Sequence, residues 1–159
     1  MSFLRFLMLL SLIVWIGGLI FFAFAVAPAA FTVLPTRHLA GSLVGRALGT
    51  LHWMGIFSGL VFLASSLLYS QLTRGATHAF AARNILIVLM LACTLVSQFA
   101  IMPRMDNLRA SIGEIDSVPS DNPTRVQFDA LHVWSTRVEA GVLLLGLATI
   151  YLTASALCS

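Results

Sequence analysis

RVQFDALHVWSTRVEAGVLLLGLATIYLTASAL, from Arg125 to Leu157, joins two kinds of sequence in one helix. From Ala140 to Leu157 nothing is charged, and the run is about long enough to cross a bilayer. Before it, at roughly 100° per residue, Arg125, Asp129, His132, Thr136 and Glu139 fall within about 80° of one another. The stretch therefore predicts a membrane helix with a polar stripe that ends where the apolar span begins. Such a stripe needs other helices to shelter it.

The rest of the chain supplies them. Of 159 residues, 59% are hydrophobic and only 9% charged, and the mean hydropathy is +0.97. A soluble domain carries about 25% charged residues. A chain this apolar cannot cover its surface with polar groups, so lipid is the expected solvent. Three more apolar runs predict helices at about 3–31, 41–72 and 80–102, with the last helix at about 125–157 and a polar loop at 103–124. Within that loop, residues 107–115 have the pattern of a short surface helix. Asp121, Asn122 and Thr124 are candidate caps for the last helix. The expectation is an all-α fold, an integral membrane antiparallel four-helix bundle forming one domain over 1–159.

The start of the chain needs a separate argument. Arg5 followed by an apolar run resembles the opening of a signal peptide. The run extends from Phe6 to Phe31, well beyond the usual 7–15 residues, so it reads as a retained membrane helix. Pro28 in this helix, and Gly41, Gly45, Gly49, Gly55 and Gly59 in the next, are tolerated in membranes. The glycines form a small-xxx-small face that allows close helix approach, and His52 lies within it. That face is also a candidate docking surface for a partner helix.

Counting spans places the polar residues. One end of the bundle collects Arg46, His52, Gln98, Met102, Met105, Arg125, Asp129, His132, Arg137 and Glu139. All six acidic residues, from Asp106 through Glu114 and Asp116 to Glu139, fall on that side. The other end offers Arg5, Arg74, His78 and Arg83. No basic run suited to nucleic acid occurs. Cys93 and Cys158 show neither a disulfide framework nor zinc-ligand spacing. No GxSxG, Walker A, GxGxxG or HExxH motif is present, and the polar loop is too short for an enzyme domain, so no reaction can be assigned.

His52 and His132 are the candidate metal ligands. Imidazole suits haem iron, copper or zinc, and two histidines on facing helices can ligate one centre, with Met54, Met102 or Met105 adding soft donors for Cu(I). Asp129, Thr136 or Glu139 would orient His132 from behind. The structural alternative is that His132 bonds Asp129 or Thr136, and His52 a backbone carbonyl or Gln98. Glu139 stands at the hydrocarbon edge, where an intramembrane charge needs a partner, with Arg46 and His132 as candidates. Arg46, Gln98, Arg125, Asp129 and Glu139 complete the candidate ligand-binding set. Trp53 and Trp134 fit an interfacial aromatic belt.

Two stretches carry a family resemblance. WIGGLIFFAFAVAPAAF (Trp15 to Phe31) resembles the first helix of the four-helix membrane domain of unknown function 4149, which includes the transmembrane protein 205-like proteins. Phe128, Leu131, His132 and Ser135, within RVQFDALHVWSTRVEAGVLL, are similar to that family's last-helix pattern F-x-x-L-H-x-x-S. The resemblance implies a bacterial inner-membrane protein and a distant kinship with copper-resistance D-like and HemJ-type domains, which handle copper or haem. Unlike the HemJ type, the first helix has no His and the chain no Lys. Three functions follow as expectations: binding of a metal ion, haem or other small ligand; transport of a small solute; or service as a structural subunit. The partners expected are membrane lipid and either a second copy or another membrane protein.

Overall fold

The computed structural model describes residues 2–75, 78–113 and 117–158. Glu114 and Asp116, and the side chains of Arg74 and Cys158, lie outside the described residues. Among the described residues all regular structure is helical: α1 (Ser2–Phe21), α2 (Ala27–Val33), α3 (Arg37–Arg74), α4 (Ala82–Val96), α5 (Met102–Ile112) and α6 (Pro123–Cys158). Two π-helical segments, Phe22–Val26 and Ser97–Ile101, join α1 to α2 and α4 to α5. The result is four spans, each long and apolar enough to cross a membrane: Ser2–Val33, Arg37–Thr73, Ala82–Ile112 and Pro123–Ser155. The chain is an all-helical membrane bundle.

Proline places both π segments. Pro28 and Pro103 each follow a π segment by two positions and stand in the first turn of the resumed α-helix. A proline ring inside a continuous α-helix would strike the carbonyl four residues back. Widening the preceding turn removes that clash. At the end of each wide turn the backbone bond skips five residues: Ala27 N–H bonds Phe22 O, and Met102 N–H bonds Ser97 O. The third span therefore does not stop at Met102, as the sequence pattern suggests. It runs through Pro103 to Ile112 and ends at Gly113, whose φ of 70° suits glycine.

Two other boundaries differ from expectation. The loop before α3 shrinks to 34–36, because the Thr36 side chain accepts from Leu39 N–H and caps the helix. The last helix begins at Pro123, where Asn122 Oδ1 accepts from Thr124 N–H at 2.9 Å.

α1 packs chiefly on α3, α3 on α4, α4 on α6, and α6 closes back on α1. Each span thus lies beside its sequence neighbours, as short links require. Met8, Leu12, Trp15, Ile16, Phe62, Met90 and Val142 belong to one buried core. A second cluster, Ile101, Met105 and Phe128, holds α5 to α6 beyond the main bundle. Much of the outer surface is apolar, including Phe24, Phe57, Leu60, Phe99 and Leu144, as a lipid-facing surface requires.

The glycine face is internal. A side chain at Gly55 would strike the Trp15 indole, and one at Gly59 would meet Leu91 at 2.8 Å and Trp15 at 2.9 Å. At the other end, Gly41 and Gly45 lie under the guanidinium of Arg109. At Gly55 and Gly59 the face expected to dock a partner helix is therefore filled from within the chain. The glycines make room for two flat groups, an indole and a guanidinium.

Candidate functional site

The polar centre of the bundle is His52. It lies on α3, is 2% exposed, and is held at both ring nitrogens. Nδ1 is 2.9 Å from Gln98 Oε1, and Nε2 is 2.8 Å from Glu139 Oε1. Ser97 Oγ donates to the same Glu139 oxygen at 3.1 Å. Three spans thus contribute: α3 gives His52, the π segment gives Ser97 and Gln98, and α6 gives Glu139.

With Gln98 Oε1 facing the ring, the bonding partners assign the protons. The Gln98 carbonyl oxygen only accepts, so His52 Nδ1 carries a proton and donates it. His52 Nε2 and Glu139 then hold one further proton between them. Either Nε2–H donates to a carboxylate, or a carboxylic O–H donates to Nε2. The pair is neutral overall in both arrangements, and Oε1 can accept from Ser97 in both. A neutral, fully bonded pair escapes most of the cost of a charge in an apolar medium.

The π segment makes this chain of bonds possible. In a regular α-helix, adjacent residues point about 100° apart. Here Ser97 and Gln98 both reach the His52–Glu139 pair, one from each side. π turns recur at functional sites for this reason: they re-aim side chains. Ser97 is fully buried. No 3.6-residue pattern marks it; the only hint is the polar pair Ser97-Gln98 inside an otherwise apolar run.

Beside this chain a cleft of about 600 Å³ opens between the start of α3 and α5. Its walls include His38, Ser42, Arg46, Asp106 and Arg109, and its inner end is Gly49 with Gln98. Gln98, whose Oε1 bonds His52, thus lines the cleft as well. Arg109 lies across Gly41 and Gly45, with its guanidinium carbon 5.4 Å from the centre of the Phe128 ring. Its Nη1 bonds Asp106 Oδ1 at 3.1 Å. By sequence pattern Arg109 belongs to the polar loop; the continuation of the third span past Pro103 brings it here.

The expected residues separate into two groups. His52, Gln98 and Glu139 meet, and Arg46 lines the adjoining cleft. His132, Asp129 and Thr136 do not join them; all three are exposed. At that level α6 packs on α5 through Phe128 and Leu131, and the neighbouring side of the helix has nothing to bury it. The pairing of His132 with His52 is thus not formed, and neither is the pairing of Glu139 with Arg46 or His132. Glu139 takes His52 instead. Arg125 donates to Val118 O and ties the preceding loop to α6, away from the site. Arg137 lies over Trp134, at 5.7 Å.

The expected metal or haem site shared by His52 and His132 is not assembled. A ligating imidazole needs a free nitrogen lone pair, and both nitrogens of His52 are engaged. Among the described residues, no three of His, Cys, Asp and Glu come together in a way that could hold an ion.

Comparison with known proteins gives one family. The profile of a domain of unknown function (DUF4149) matches residues 10–114, about two thirds of the 159 residues. The match takes in the first span from Leu10 on, the second and third spans, both π segments and the glycine face, and stops before α6. No curated protein and no solved structure matches the chain.

Proposed function

The chain belongs to the DUF4149 family of membrane domains, and from that premise we propose that it binds a small polar ligand in the cleft between α3 and α5. The floor of the site is the bonded series Gln98–His52–Glu139–Ser97. The observation that carries this reading is the shared wall: Gln98 lines the cleft and also bonds His52. A ligand that hydrogen-bonds the Gln98 amide acts directly on the buried proton-holding pair. Arg46 and Arg109 form the rim and wall.

Copper or haem, implied by the distant kinship, is set aside because His52 offers no free nitrogen and its expected partner is exposed. The test uses the Trp and His reporters already in place. Purified protein in detergent is screened by thermal unfolding against small polar compounds, and the His52 imidazole is followed by ¹⁵N NMR. A stabilising compound is expected to move the His52 resonances in the parent protein, and to lose its effect when Ser42→Leu narrows the cleft. If stabilising compounds leave the His52 signals fixed, the shared-wall reading is lost.

One observation favours transport as a second reading. A second pocket of about 420 Å³, lined by Tyr69, Ser70, Thr73, His78 and Arg83, opens at the opposite end of α3. Phe62, Ile87, Met90 and Val142, each at most 1% exposed, lie along the chain between the two pockets. Chambers with polar side chains at both ends and an apolar plug between them are what a carrier in a closed state requires. Flux into proteoliposomes that persists unchanged in Glu139→Gln counts against this reading.

A further inference from the structure

We infer that the ligand of the cleft is an oxyanion, a phosphate or carboxylate group, recognised by Arg109 with Arg46. The inference rests on the small-ligand reading of the cleft and gives that ligand its chemical class.

Arg109 is built in as a fixed donor. Its side chain is 12% exposed, an unusual depth for arginine. Gly41 and Gly45 create the flat bed on which it lies; Cβ atoms there would come to 3.5 and 3.4 Å from its terminal nitrogens. Phe128 covers it from the α6 side. The guanidinium therefore loses little freedom when it binds. Yet its donors are under-used. Of five N–H groups, one is engaged among the described residues, in a contact with Asp106. Asp106 is itself 60% exposed and so compensates the charge weakly. Nε of Arg109 is itself buried with no partner among the described residues, so the donors left for a ligand are those on its two terminal nitrogens. A fixed guanidinium with unused terminal donors favours a ligand that supplies acceptors.

The charge of the cleft agrees. Arg46 and Arg109 face one carboxylate, Asp106, and Arg46 has no acidic partner among the described residues. The inner end is neutral, because His52 and Glu139 share one proton. The cleft thus has a positive rim and a neutral hydrogen-bonding floor. A planar guanidinium matches two oxygens of a carboxylate or phosphate at once. The oxyanion comes either from a soluble molecule or from the headgroup of an acidic lipid, since the cleft lies toward one membrane face.

The test is a titration of the full-length protein in maltoside micelles, read by the thermal unfolding midpoint. One arm adds inorganic phosphate or acetate, with chloride holding ionic strength constant. The other adds phosphatidylglycerol to the micelles. The midpoint is expected to rise in at least one arm: a response to the free ions assigns a soluble ligand, and a response to the lipid alone assigns a headgroup. Arg109→Gln and Arg46→Gln are each expected to raise the half-saturating concentration at least ten-fold, and Arg104→Gln, an exposed arginine outside the cleft, to leave it unchanged. Arg46 is exposed, so its variant stays informative even where Arg109→Gln fails to fold. Silence in both arms overturns the inference, as does an undiminished response in the folded Arg variants. Glycerol as an uncharged probe separates the two levels. If it stabilises the parent but not Ser42→Leu while the anions do nothing, the cleft reading stands and the oxyanion falls.

Discussion

Glu139 Oε1 stands 2.8 Å from His52 Nε2, joining the second and fourth spans across the bundle by one hydrogen bond. Gln98 and Ser97 hold the two ends of this pair from the third span. Every partner is therefore fixed by another, and each variant below removes a defined part of the arrangement.

Glu139→Ala leaves His52 Nε2 and the Ser97 hydroxyl without a partner. Removing one member of a buried pair costs about 3–5 kcal/mol, and a value near the lower end is expected because Glu139 keeps 14% exposure. Glu139→Gln keeps a donor for Nε2 and is expected to stay within about 1 kcal/mol of the parent. Unfolding in graded detergent mixtures measures both; equal losses would show that the proton, not the bond, supports the fold.

Gln98→Leu strips the acceptor from His52 Nδ1–H. An unsatisfied buried donor costs about 1–3 kcal/mol. The ¹⁵N spectrum of the parent is expected to show a protonated Nδ1 at His52. A parent spectrum with a bare Nδ1 would mean that Gln98 presents its amide nitrogen instead, and the proton assignment would reverse.

Pro103→Ala removes the ring that demands the wide turn. The third span is then free to close into a regular α-helix, which re-phases everything before Pro103 by about one residue, or roughly 100°. Ser97 and Gln98 cannot both stay on the pair. The expected result is a loss of the Gln98-bonded His52 signature although helix content is kept. An unchanged His52 spectrum would show that side-chain bonds alone hold the π segment.

His132→Ala is expected to change stability by no more than about 0.5 kcal/mol and to leave the His52 resonances in place, because His132 is exposed and apart. A shift in those resonances would restore the idea of one site shared by both histidines.

Gly55→Ala and Gly17→Ala make a matched pair. At Gly55 a methyl group collides with the Trp15 indole, whereas at Gly17 it meets nothing within 4 Å. Overpacking at Gly55 is expected to cost about 1–3 kcal/mol. Gly17→Ala is expected to be neutral or slightly stabilising, through helix propensity. Similar losses at both sites would mean that the Trp15 contact is soft.

The amino-acid order alone decided the solvent and the architecture. Four long apolar runs with few charges have no stable home but lipid, and in lipid the backbone must satisfy itself as helices. It also showed that His52, Gln98 and Glu139 sit toward the same end, since rise per residue and the alternation of spans follow from counting. What it did not decide is which polar stripe faces inward. On α6 the residues His132 and Glu139 share one face by periodicity, but only at the level of Glu139 do other spans close over that face. Nor did it reveal Ser97 or Arg109, because both depend on Pro103. A ring clash widens one turn, which brings Ser97 onto the pair, and the helix then continues instead of ending, which carries Arg109 over the glycines. Periodicity gives a residue its direction around its own helix; which neighbour occupies that direction, and where a turn changes phase, is set by packing between spans.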